Sequence, residues 1–416
     1  MKKTVIELFA GVGGFRVGLN DIHGFDETGR AIENNDWDFV WANQWEPSTK
    51  VQHAYDCYTT RFGSGSCSNE DISNVDKSSI PDHALVCGGF PCQDYSVARS
   101  LSKEKGIEGK KGVLFWDIAE VLRVKKAPFV LLENVDRLLK SPARQRGRDF
   151  GIMLRTFDDL GYNVEWRVIN AAEYGCAQRR RRVFIFAWKK NTKYNKNIDR
   201  VYAESYLFKD GLFASSFPVE NPENFARDFK LINLSEYKDT VEMTDSFRTR
   251  FENTGIMIDG FVVTGKTIPV QIQPITLREI RENREHLDSY FLDDAQNKKF
   301  EYLRGPKKIK RKKPNGEIYY YSEGGMCYPD NLDLPGRTML TSEGSINRST
   351  HVIKDKETGK NRLLTPIEAE RLQSFPDDWT NTGMPEKRRY FMMGNALVTK
   401  IIYKLEPNLN RIITDE

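Results

Sequence analysis

The chain has 416 residues, more than a single hydrophobic core usually supports, so we expect two domains. Its 63 basic and 59 acidic residues leave a net charge of only +4, so a nucleic-acid-binding surface must come from local clusters and not from the overall charge. The six cysteines form no C-x-x-C pair and are accompanied by only five histidines, so we expect neither a disulfide framework nor a metal site, and a reducing cytoplasm fits.

The N-terminal stretch predicts a strand, a glycine loop and a helix. Residues 4–9 form a short β-type run that carries the acidic Glu7, so we expect no signal peptide or membrane span there. The run ends in Ala10-Gly11-Val12-Gly13-Gly14 and passes into a helical pattern at residues 15–19. This spacing does not match the G-x-G-x-x-G loop that cradles a pyrophosphate. A tight turn and a Rossmann-like nucleotide site are both compatible with the loop, and its spacing favours a cofactor without phosphates.

β-type runs and helical patterns alternate as far as residue 190. The β-type runs cover residues 39–43, 84–87, 129–132 and 164–169, and the helical patterns cover residues 47–62, 113–123 and 149–160. This alternation predicts an α/β fold with a mostly parallel sheet. Ligands of such sheets bind beyond the carboxyl ends of the strands. The sequence places there the Gly11 loop, Trp45, Asp71, Cys92 and Glu133.

A cysteine follows the β-type run at residues 84–87. The sequence there is Gly88-Gly89-Phe90-Pro91-Cys92-Gln93-Asp94-Tyr95-Ser96. Pro91 fixes its own φ and pushes Phe90 toward an extended conformation, while the two glycines allow a sharp turn close to a ligand. The loop therefore predicts a thiol that is presented in a defined direction, although a lone cysteine is more often a small buried residue.

Two further motifs place charged residues next to apolar strands. Glu133-Asn134-Val135 follows the run at residues 129–132, and Gln178-Arg179-Arg180-Arg181-Arg182 precedes an apolar strand at residues 183–187. On strand periodicity Arg180 and Arg182 face the same way. In isolation the first motif is an ordinary strand-to-loop junction, and the second is a structural or phosphate-binding cluster.

From about residue 191 the regular alternation stops. Residues 191 to about 335 contain short β-type runs, such as 260–263 and 318–321, and indicate a second, smaller and mostly irregular β domain. Residues 304–313 hold seven basic residues in ten. Such a run is either a solvated surface loop or, beside Tyr302 and the tyrosines at 319–321, a surface for phosphate contact and base stacking.

Regular pattern returns towards the C-terminus. Thr365, Pro366 and Glu368 predict a capping box that opens an amphipathic helix at residues 365–373. The stretch at residues 374–379 ends this helix. Residues 388–398 follow and contain Gly394-Asn395, which in isolation is a simple turn before the last helix.

Together these motifs resemble the C5-cytosine-specific DNA methyltransferase family of the bacterial restriction-modification type. The resemblance is carried by Phe90-Pro91-Cys92-Gln93, by Glu133-Asn134-Val135 and by the Gln178 to Arg182 run, and it spans nearly the whole chain outside residues 191–335. It implies a Rossmann-like methyltransferase domain that binds S-adenosyl-L-methionine (SAM) at residues 1–190, completed by residues 388–416. It also implies a target-recognition domain at residues 191–387 that includes the helix at 365–373.

The resemblance assigns roles to individual residues. The implied catalytic residues are Cys92, Glu133, Arg180 and Arg182. The implied SAM-binding residues are Phe9, Val12, Gly14, Gln44, Trp45, Asp71, Ile72, Pro91, Leu114, Asn395 and Leu397. The expected DNA-binding residues are Phe90, Gln93, Ser96, Asn134 and, from the basic run, Lys307, Lys308 and Lys310.

The implied reaction explains why these residue types occur together. Carbon 5 of cytosine is a poor nucleophile, and attack of the Cys92 thiolate at carbon 6 turns it into an enamine-like one. A protonated Glu133 near N3 would quench the charge that develops on the ring, while Arg180 and Arg182 orient this glutamate and bind the carbonyl oxygen of the base. The cytosine must first be rotated out of the duplex, and the second domain would read the flanking bases in the major groove.

The sequence does not decide the roles of two positions in the expected cofactor pocket. The family carries an acidic residue just before the tryptophan to bind the ribose hydroxyls, whereas this sequence has Gln44 before Trp45 and Glu46 after it. Either Gln44 makes weaker hydrogen bonds to the ribose or Glu46 reaches round. Asp71 matches the position that reads the adenine amino group, although an isolated Asp in a polar loop is more often a turn residue.

Three other functions compete with this one. A dinucleotide oxidoreductase on the same kind of sheet is disfavoured because G-x-G-x-x-G is absent. An RNA cytosine-5 methyltransferase of the same fold is disfavoured by the large, basic segment at residues 191–335. A non-catalytic DNA-binding relative would be expected to lack Cys92 or Glu133, and both are present.

The expected partner is double-stranded DNA, and the expected cofactor is SAM, with S-adenosyl-L-homocysteine as its product and no metal. We expect a monomer in the bacterial cytoplasm, associated with the nucleoid through DNA and not with a membrane. A restriction endonuclease that acts on the same DNA site would be a functional counterpart and not a binding partner.

Overall fold

The computed structural model describes residues 1–90, 114–198, 205–221, 229–282, 287–313 and 315–416. The strands in these residues are β1 (Thr4–Leu8), β2 (Asp38–Asn43), β3 (Cys67–Ser68), β4 (Leu85–Gly89), β5 (Phe129–Val135), β6 (Tyr162–Asn170), β7 (Arg181–Lys189), β8 (Lys230–Asn233), β9 (Thr254–Ile258), β10 (Phe261–Gly265), β11 (Lys307–Lys312), β12 (Ile318–Glu323), β13 (Val352–Lys354) and β14 (Asn361–Leu363). The helices are α1 (Gly14–Leu19), α2 (His53–Phe62), α3 (Leu114–Lys125), α4 (Arg148–Asp159), α5 (Lys193–Lys196), α6 (Leu212–Ser216), α7 (Thr240–Ser246), α8 (Leu277–Ile280), α9 (Asp294–Arg304), α10 (Pro366–Leu372), α11 (Glu386–Asn395) and α12 (Thr399–Asp415).

One ten-stranded sheet organises the fold, in the order β3-β2-β1-β4-β5-β7-β6-β9-β10-β8. The strands from β3 to β5 pair in parallel, and every pair from β5 to β8 is antiparallel. The predicted α/β fold with parallel strands in its first half is confirmed. Strands β8 to β10 come from the segment after residue 191 and extend the same sheet beyond β6. The domain boundary at residue 190 stays a prediction.

The central strands are apolar on both faces because helices cover both sides of the sheet. In β1, Ile6 and Leu8 pack into one core, while Val5 packs into the core on the opposite face. In β4, Val86 joins the first core and Leu85 the second. Continuous apolar runs of this kind are typical of buried parallel strands. The carboxyl ends of these strands are therefore positioned by a rigid interior.

The C-terminal helix returns to the start of the chain. Helix α12 packs on α1, and Glu406 of α12 accepts a hydrogen bond from Trp37 Nε1 at 3.0 Å. The amino terminus donates to the carbonyl oxygen of Ile413 at 3.1 Å. These contacts place the residues just before α12 against the glycine loop that leads into α1.

Two features of the remaining chain bear on the sequence predictions. The capping box is confirmed, because Thr365 Oγ1 accepts from the Glu368 amide at 3.2 Å and the Glu368 carboxylate accepts from the Thr365 amide at 2.9 Å. The basic run forms strand β11, which pairs with β12 in a separate two-stranded ribbon. Among the described residues, no helix is long and apolar enough to cross a membrane.

The packing of α12 on α1 leads to a first prediction. A Cβ at Gly18 would lie 2.5 Å from Ile402 Cβ and 2.6 Å from the carbonyl oxygen of Thr399, so Gly18→Ala must push the two helices apart. We expect it to lower the free energy of unfolding by about 1–3 kcal/mol, measured by thermal or urea unfolding. Gly24→Ala is the control, because a Cβ there meets no atom within 4 Å. Equal unfolding curves for the two variants would contradict the tight contact.

Candidate active site

A cavity of about 880 Å³ opens at the carboxyl ends of β1, β2, β4 and β5. It brings together residues that the sequence placed in separate motifs. Those predicted residues that line it are Phe9, Val12, Gly14, Gln44, Trp45, Phe90, Leu114, Glu133, Asn134, Arg180, Arg182, Asn395 and Leu397. Pro91, Cys92, Gln93 and Ser96 lie outside the described residues, and Asp71, Ile72, Lys307, Lys308 and Lys310 are not part of the described lining.

The glycine loop forms one wall of the cavity. Phe9, Gly11 and Gly13 all have positive φ, at 55°, 57° and 87°, so the chain turns sharply after β1. The amide of Gly11 donates to Gln44 Oε1 at 2.7 Å, which ties the loop to the end of β2. A Cβ at Gly14 would lie 3.0 Å from the Leu397 side chain, so the loop and the C-terminal wall are in close contact.

Glu7 is a fully buried carboxyl at the floor of the cavity. Its Oε1 accepts from the Phe15 amide at 3.0 Å, and its Oε2 has no hydrogen-bond partner. Burial raises the pKa of Glu7 to about 8, although the Phe15 amide and nearby Arg16 act in the opposite direction. A polar atom that is buried without a partner is costly. Glu7 Oε2 is therefore a buried polar atom at the cavity without a geometric hydrogen-bond partner.

A second unpartnered carboxylate oxygen lies on the opposite side of the cavity, next to Trp45. Glu46 Oε1 accepts from Arg388 Nη2 at 2.8 Å, whereas Glu46 Oε2 is buried without a partner. Gln44, by contrast, already uses its side-chain oxygen for the Gly11 amide. Trp45 is 39% exposed, so one face of its indole is open for stacking. The sequence could not reveal the link between Glu46 and Arg388, which are 342 positions apart.

Glu133 and Arg182 form the charged centre of the site. Arg182 Nε lies 2.8 Å from Glu133 Oε1, and both side chains are mostly shielded from solvent. The parallel register of β4 and β5 places Gly89 opposite Glu133. A Cβ at Gly89 would lie 3.4 Å from Glu133 Oε2. The strand that leads to Cys92 therefore ends beside the carboxylate.

Asn134 binds the backbone just before the segment that contains Cys92. Its Nδ2 donates to the carbonyl oxygen of Phe90 at 2.7 Å, and Asn134 itself is buried. Phe90 is the residue before Pro91, so this bond fixes the point at which the loop leaves the sheet. The sequence predicts that Asn134 contacts DNA, and its described contact is with this backbone carbonyl.

Arg180 lies deeper than Arg182 and bonds to backbone. Its Nη1 donates to the carbonyl oxygen of Met339 at 3.1 Å, and its Nη2 donates to that of Gly394 at 3.0 Å. Burial, with nearby Arg182, lowers the pKa of Arg180 to about 9. Its Nε is buried without a partner. Of the two arginines predicted to face the site, Arg182 is the one that pairs with Glu133.

The neighbouring Gln178 makes the same kind of contact, which sequence reasoning does not identify. Its Oε1 accepts from the Met339 amide at 2.9 Å, and its Nε2 donates to the carbonyl oxygen of Leu372 at 3.2 Å. Gln178 and Arg180 alternate along an extended stretch, so both side chains reach the same buried side. The signal available in the sequence is this period of two.

Asp71 and Ile72 are held by local structure. Asp71 Oδ1 accepts from the amide and the hydroxyl of Ser73, at 3.0 and 2.8 Å, and so caps a short turn. Ile72 is buried in the core beneath the sheet. Their contact with an adenine ring stays a prediction. In the described residues, no group of three or more His, Cys, Asp or Glu side chains is arranged to hold a metal ion.

Comparison with known proteins identifies the family. The family model for C-5 cytosine-specific DNA methylase matches residues 3–411. The chain belongs to this family. It is 52% identical over 414 residues to Type II methyltransferase M.Sau3AI of Staphylococcus aureus, covering 99% of this chain and 96% of that protein. It is 33% identical over 184 residues to Type II methyltransferase M.HhaI of Haemophilus parahaemolyticus, covering 44% of this chain and 48% of that protein.

Solved structures of similar fold include a DNMT2 variant of Spodoptera frugiperda, with a TM-score of 0.60, 14% identity and 99% of each chain covered. Dnmt2 methyltransferase of S. pombe has a TM-score of 0.55 and 15% identity, with 98% of this chain and 99% of that chain covered. At these identities the likeness concerns the fold. Family membership confirms the predicted enzyme class, a DNA cytosine-5 methyltransferase of the restriction-modification type.

The buried Glu7 of this methyltransferase generates a pH prediction. Its pKa is raised above the ordinary value of 4.5 to about 8, so folding favours the protonated form. The free energy of unfolding should therefore fall as the pH rises from about 4.5 to about 8. Glu7→Gln removes this dependence, so the melting temperature of the variant relative to wild type should increase between pH 6 and pH 9.

The matched control is Glu120→Gln, which removes a carboxylate that is partly exposed and paired with Arg123 on α3. Its melting temperature relative to wild type should not rise over the same pH range. If Glu7→Gln shows the same pH profile as wild type, the buried carboxyl is not protonated in the folded protein.

Proposed function

We propose that this enzyme transfers a methyl group from SAM to carbon 5 of a cytosine that is flipped out of duplex DNA, through a covalent bond between Cys92 and carbon 6. The observation that carries the proposal is the Glu133–Arg182 ion pair at the strand end that leads to Cys92. This pair lines the same cavity as the glycine loop and Trp45. A reactive base and a cofactor can therefore meet in one space.

The cavity fits the proposed cofactor in size and in chemistry. A volume of about 880 Å³ is in the range of small-molecule sites. The open indole of Trp45 suits an adenine ring, and the free oxygen of Glu46 suits ribose hydroxyls. Leu397 and Asn395 close the C-terminal side. When bound, SAM supplies an electrophilic methyl group.

The protein residues would activate the cytosine in a defined order. Cys92, as a thiolate, forms a bond to carbon 6, and the ring electrons move to carbon 5. Glu133, which must take up a proton for this step, donates a hydrogen bond at N3, while Arg182 orients Glu133 and contacts the carbonyl oxygen of the base. Carbon 5 would then take the methyl group and leave S-adenosyl-L-homocysteine. A base would remove the proton from carbon 5, and the carbon–sulfur bond would break to release the methylated cytosine and the Cys92 thiolate.

Arg180 would position the backbone around the Glu133–Arg182 pair. Its two terminal nitrogens are used by the carbonyl oxygens of Met339 and Gly394, which leaves Nε as a buried donor without a partner. We therefore assign Arg180 to positioning the walls of the cavity, with Nε as its remaining donor toward a bound base. Phe90, Gln93, Ser96 and Asn134 would shape the pocket around that base.

The substrate would be double-stranded DNA with a specific short sequence. Rotating the cytosine out of the stack costs a few kcal/mol, which contacts in the pocket and to the DNA offset. Lys307, Lys308 and Lys310 would contact phosphates. The enzyme would act as a monomer in the bacterial cytoplasm and at the nucleoid, and a restriction endonuclease that cuts the same site would be its counterpart without binding it.

The covalent mechanism predicts the effect of Cys92→Ser. A hydroxyl occupies nearly the volume of a thiol but is a far weaker nucleophile, so methyl transfer should fall by more than about 1,000-fold while DNA binding remains. The rate of methyl transfer is measured with a labelled methyl group, and DNA binding is measured by a gel-shift titration. Turnover within tenfold of wild type would remove the covalent mechanism.

A companion measurement uses DNA with 5-fluorocytosine at the target position. Fluorine does not leave as the proton does, so the carbon–sulfur bond should persist as an adduct that resists denaturation. Peptide mapping should locate the adduct at Cys92. Another cysteine in the adduct would reassign the nucleophile.

The cofactor pocket predicts that Glu46 and not Gln44 binds the ribose. Glu46→Gln should weaken SAM binding by about 10-fold or more in calorimetry, because a charge-assisted hydrogen bond contributes roughly 1.5–3 kcal/mol. Gln44→Glu places a charge where the oxygen already accepts from the Gly11 amide, so it should not weaken binding. Tighter binding with Gln44→Glu and no loss with Glu46→Gln would reverse the assignment, because an ionised acceptor hydrogen-bonds hydroxyls more strongly.

Arg388→Gln separates binding from the ion pair. This variant breaks the contact between Arg388 and Glu46 but leaves the Glu46 carboxylate in place. It should therefore cost less SAM affinity than Glu46→Gln. Equal losses of affinity would mean that Glu46 acts only by holding the wall through Arg388.

A further inference from the structure

The ribbon formed by β11 and β12 buries neither of its faces. Its six cross-strand pairs run from Lys307 opposite Glu323 to Lys312 opposite Ile318. Apart from these first two residues, every side chain on both strands is exposed, including Ile309, Ile318 and three tyrosines. An isolated two-stranded ribbon is only marginally stable in water. A ribbon of this kind that exposes apolar and aromatic groups on both faces has the surface of an element that docks against a partner.

The charge of the ribbon selects the partner. Its carboxylates are already used, because Glu317 pairs with Lys313 at 2.8 Å and Glu323 pairs with Arg348 at 3.1 Å. No ion pair joins the cations of β11 at positions 308, 310, 311 and 312 to a carboxylate of the described chain. The exposed surface is therefore strongly cationic, and the complementary partner is a polyanion that has flat or apolar groups between its charges.

The two faces of the ribbon differ in chemistry. Cross-strand partners share a face, so the side chains of one face are Lys308, Lys310, Lys312, Ile318, Tyr320 and Ser322. Those of the other face are Lys307, Ile309, Arg311, Tyr319, Tyr321 and Glu323. We call the first the lysine face and the second the arginine face. The lysine face presents three flexible point charges, and the arginine face presents one planar cation among apolar groups.

Arg311 is held in place by an aromatic ring. Its guanidinium carbon lies 4.1 Å from the centroid of Tyr321, on the same face of the ribbon. A guanidinium that is stacked in this way keeps its planar edge free for two parallel hydrogen bonds. In the major groove this edge matches the O6 and N7 acceptors of guanine, and an exposed isoleucine such as Ile309 matches the methyl group of thymine.

The spacing on the lysine face matches a DNA strand. Alternate residues of a strand lie roughly 6.8 Å apart, so Lys308 to Lys312 span roughly 14 Å, about four base-pair steps at 3.4 Å each. Lysine is a point charge without a preferred edge, which suits phosphates. The major groove is wide enough for a two-stranded ribbon.

We propose that the ribbon enters the major groove of the target DNA. There Arg311 on the arginine face reads one base pair by contacting its guanine, while Lys308, Lys310 and Lys312 contact phosphates. The inference rests on the proposed sequence-specific methyl transfer and names the element that reads the sequence. Phosphate contacts position the protein, and base contacts specify the site.

The root of the ribbon is rigid enough for such a task. Arg348 donates to the carbonyl oxygen of Leu303 at 2.7 Å, to that of Gly324, and to the carboxylate of Glu323. Helix α9 ends at the buried Arg304, which donates to Asp330 at 2.9 Å. The two strands therefore extend from an ordered base, so the residues at the root need no further ordering when the ribbon binds.

The target site is first identified by sequencing DNA of mixed sequence that wild type has methylated. Binding of wild type and two variants is then compared on duplexes that carry this site and on duplexes with single base-pair changes in it. Arg311→Lys keeps the charge and removes the planar edge. It should reduce the preference for the cognate duplex over one changed duplex by at least about fivefold, with the slope of log K against log salt unchanged. Unchanged preference for every changed duplex would overturn the base-reading role.

The second variant replaces Lys308, Lys310 and Lys312 by Gln. It should weaken binding to cognate and unrelated DNA by the same factor and flatten the salt slope by roughly 0.9 for each phosphate that the variant no longer neutralises. The matched control replaces three exposed lysines elsewhere, Lys196, Lys209 and Lys238, by Gln and should leave the slope closer to wild type. Equal slopes for the two triple variants would overturn the phosphate role of the ribbon.

Wild-type methylation of cytosine in the same duplexes separates this inference from the proposed function. If wild type methylates DNA and the ribbon variants behave like wild type, the reading element lies elsewhere and only the ribbon assignment fails. If wild type transfers no methyl group to cytosine, the proposed function itself fails. SAM affinity should be the same for wild type and both ribbon variants, and a decrease in it would indicate disturbed folding and contradict a local role in DNA reading.

Discussion

Hydrogen bonds from two buried side chains hold three distant stretches of this chain together. Gln178 bonds to the backbone of Met339 and Leu372, and Arg180 bonds to the carbonyl oxygens of Met339 and Gly394. Each buried carbonyl left without its donor would cost about 1–3 kcal/mol. The two side chains therefore specify one arrangement of the segments around Met339, Leu372 and Gly394, the last of which lines the cavity.

The junction formed by the Gln178 and Arg180 hydrogen bonds determines the shape of the cavity. A Cβ at Gly394 would lie 2.4 Å from the Thr341 amide nitrogen, so the end of α11 is packed directly on the backbone next to Met339. Asn395 and Leu397 follow and reach the glycine loop, where Leu397 touches Gly14. At the other end of α11, Arg388 pairs with Glu46 beside Trp45. Helix α11 thus joins the catalytic floor to both sides of the predicted cofactor site.

The sequence predicts those parts of the structure that depend on local pattern. Apolar runs and glycines locate β1, β4 and the loops after them, and Thr365 with Glu368 locates the start of α10. Strand β11 is not evident from the sequence, because five cations in six residues conceal an alternation that only its partner β12 completes. The pairing of Glu46 with Arg388 joins residues far apart in sequence, and no local pattern encodes such a contact.

The same junction connects the ribbon to the catalytic centre. Arg180 holds Met339, and Arg348, nine residues later in the chain, holds the root of the ribbon. Just before Met339, Arg337 donates to Asp330 at 3.0 Å, and Asp330 also accepts from Arg304 at the end of α9. Interactions with these arginines fix both ends of the short segment from Met339 to Arg348. Under the proposed role of the ribbon, a base pair that it contacts would be held at a set distance from the cavity, and this distance would determine which cytosine of the site is presented to Cys92.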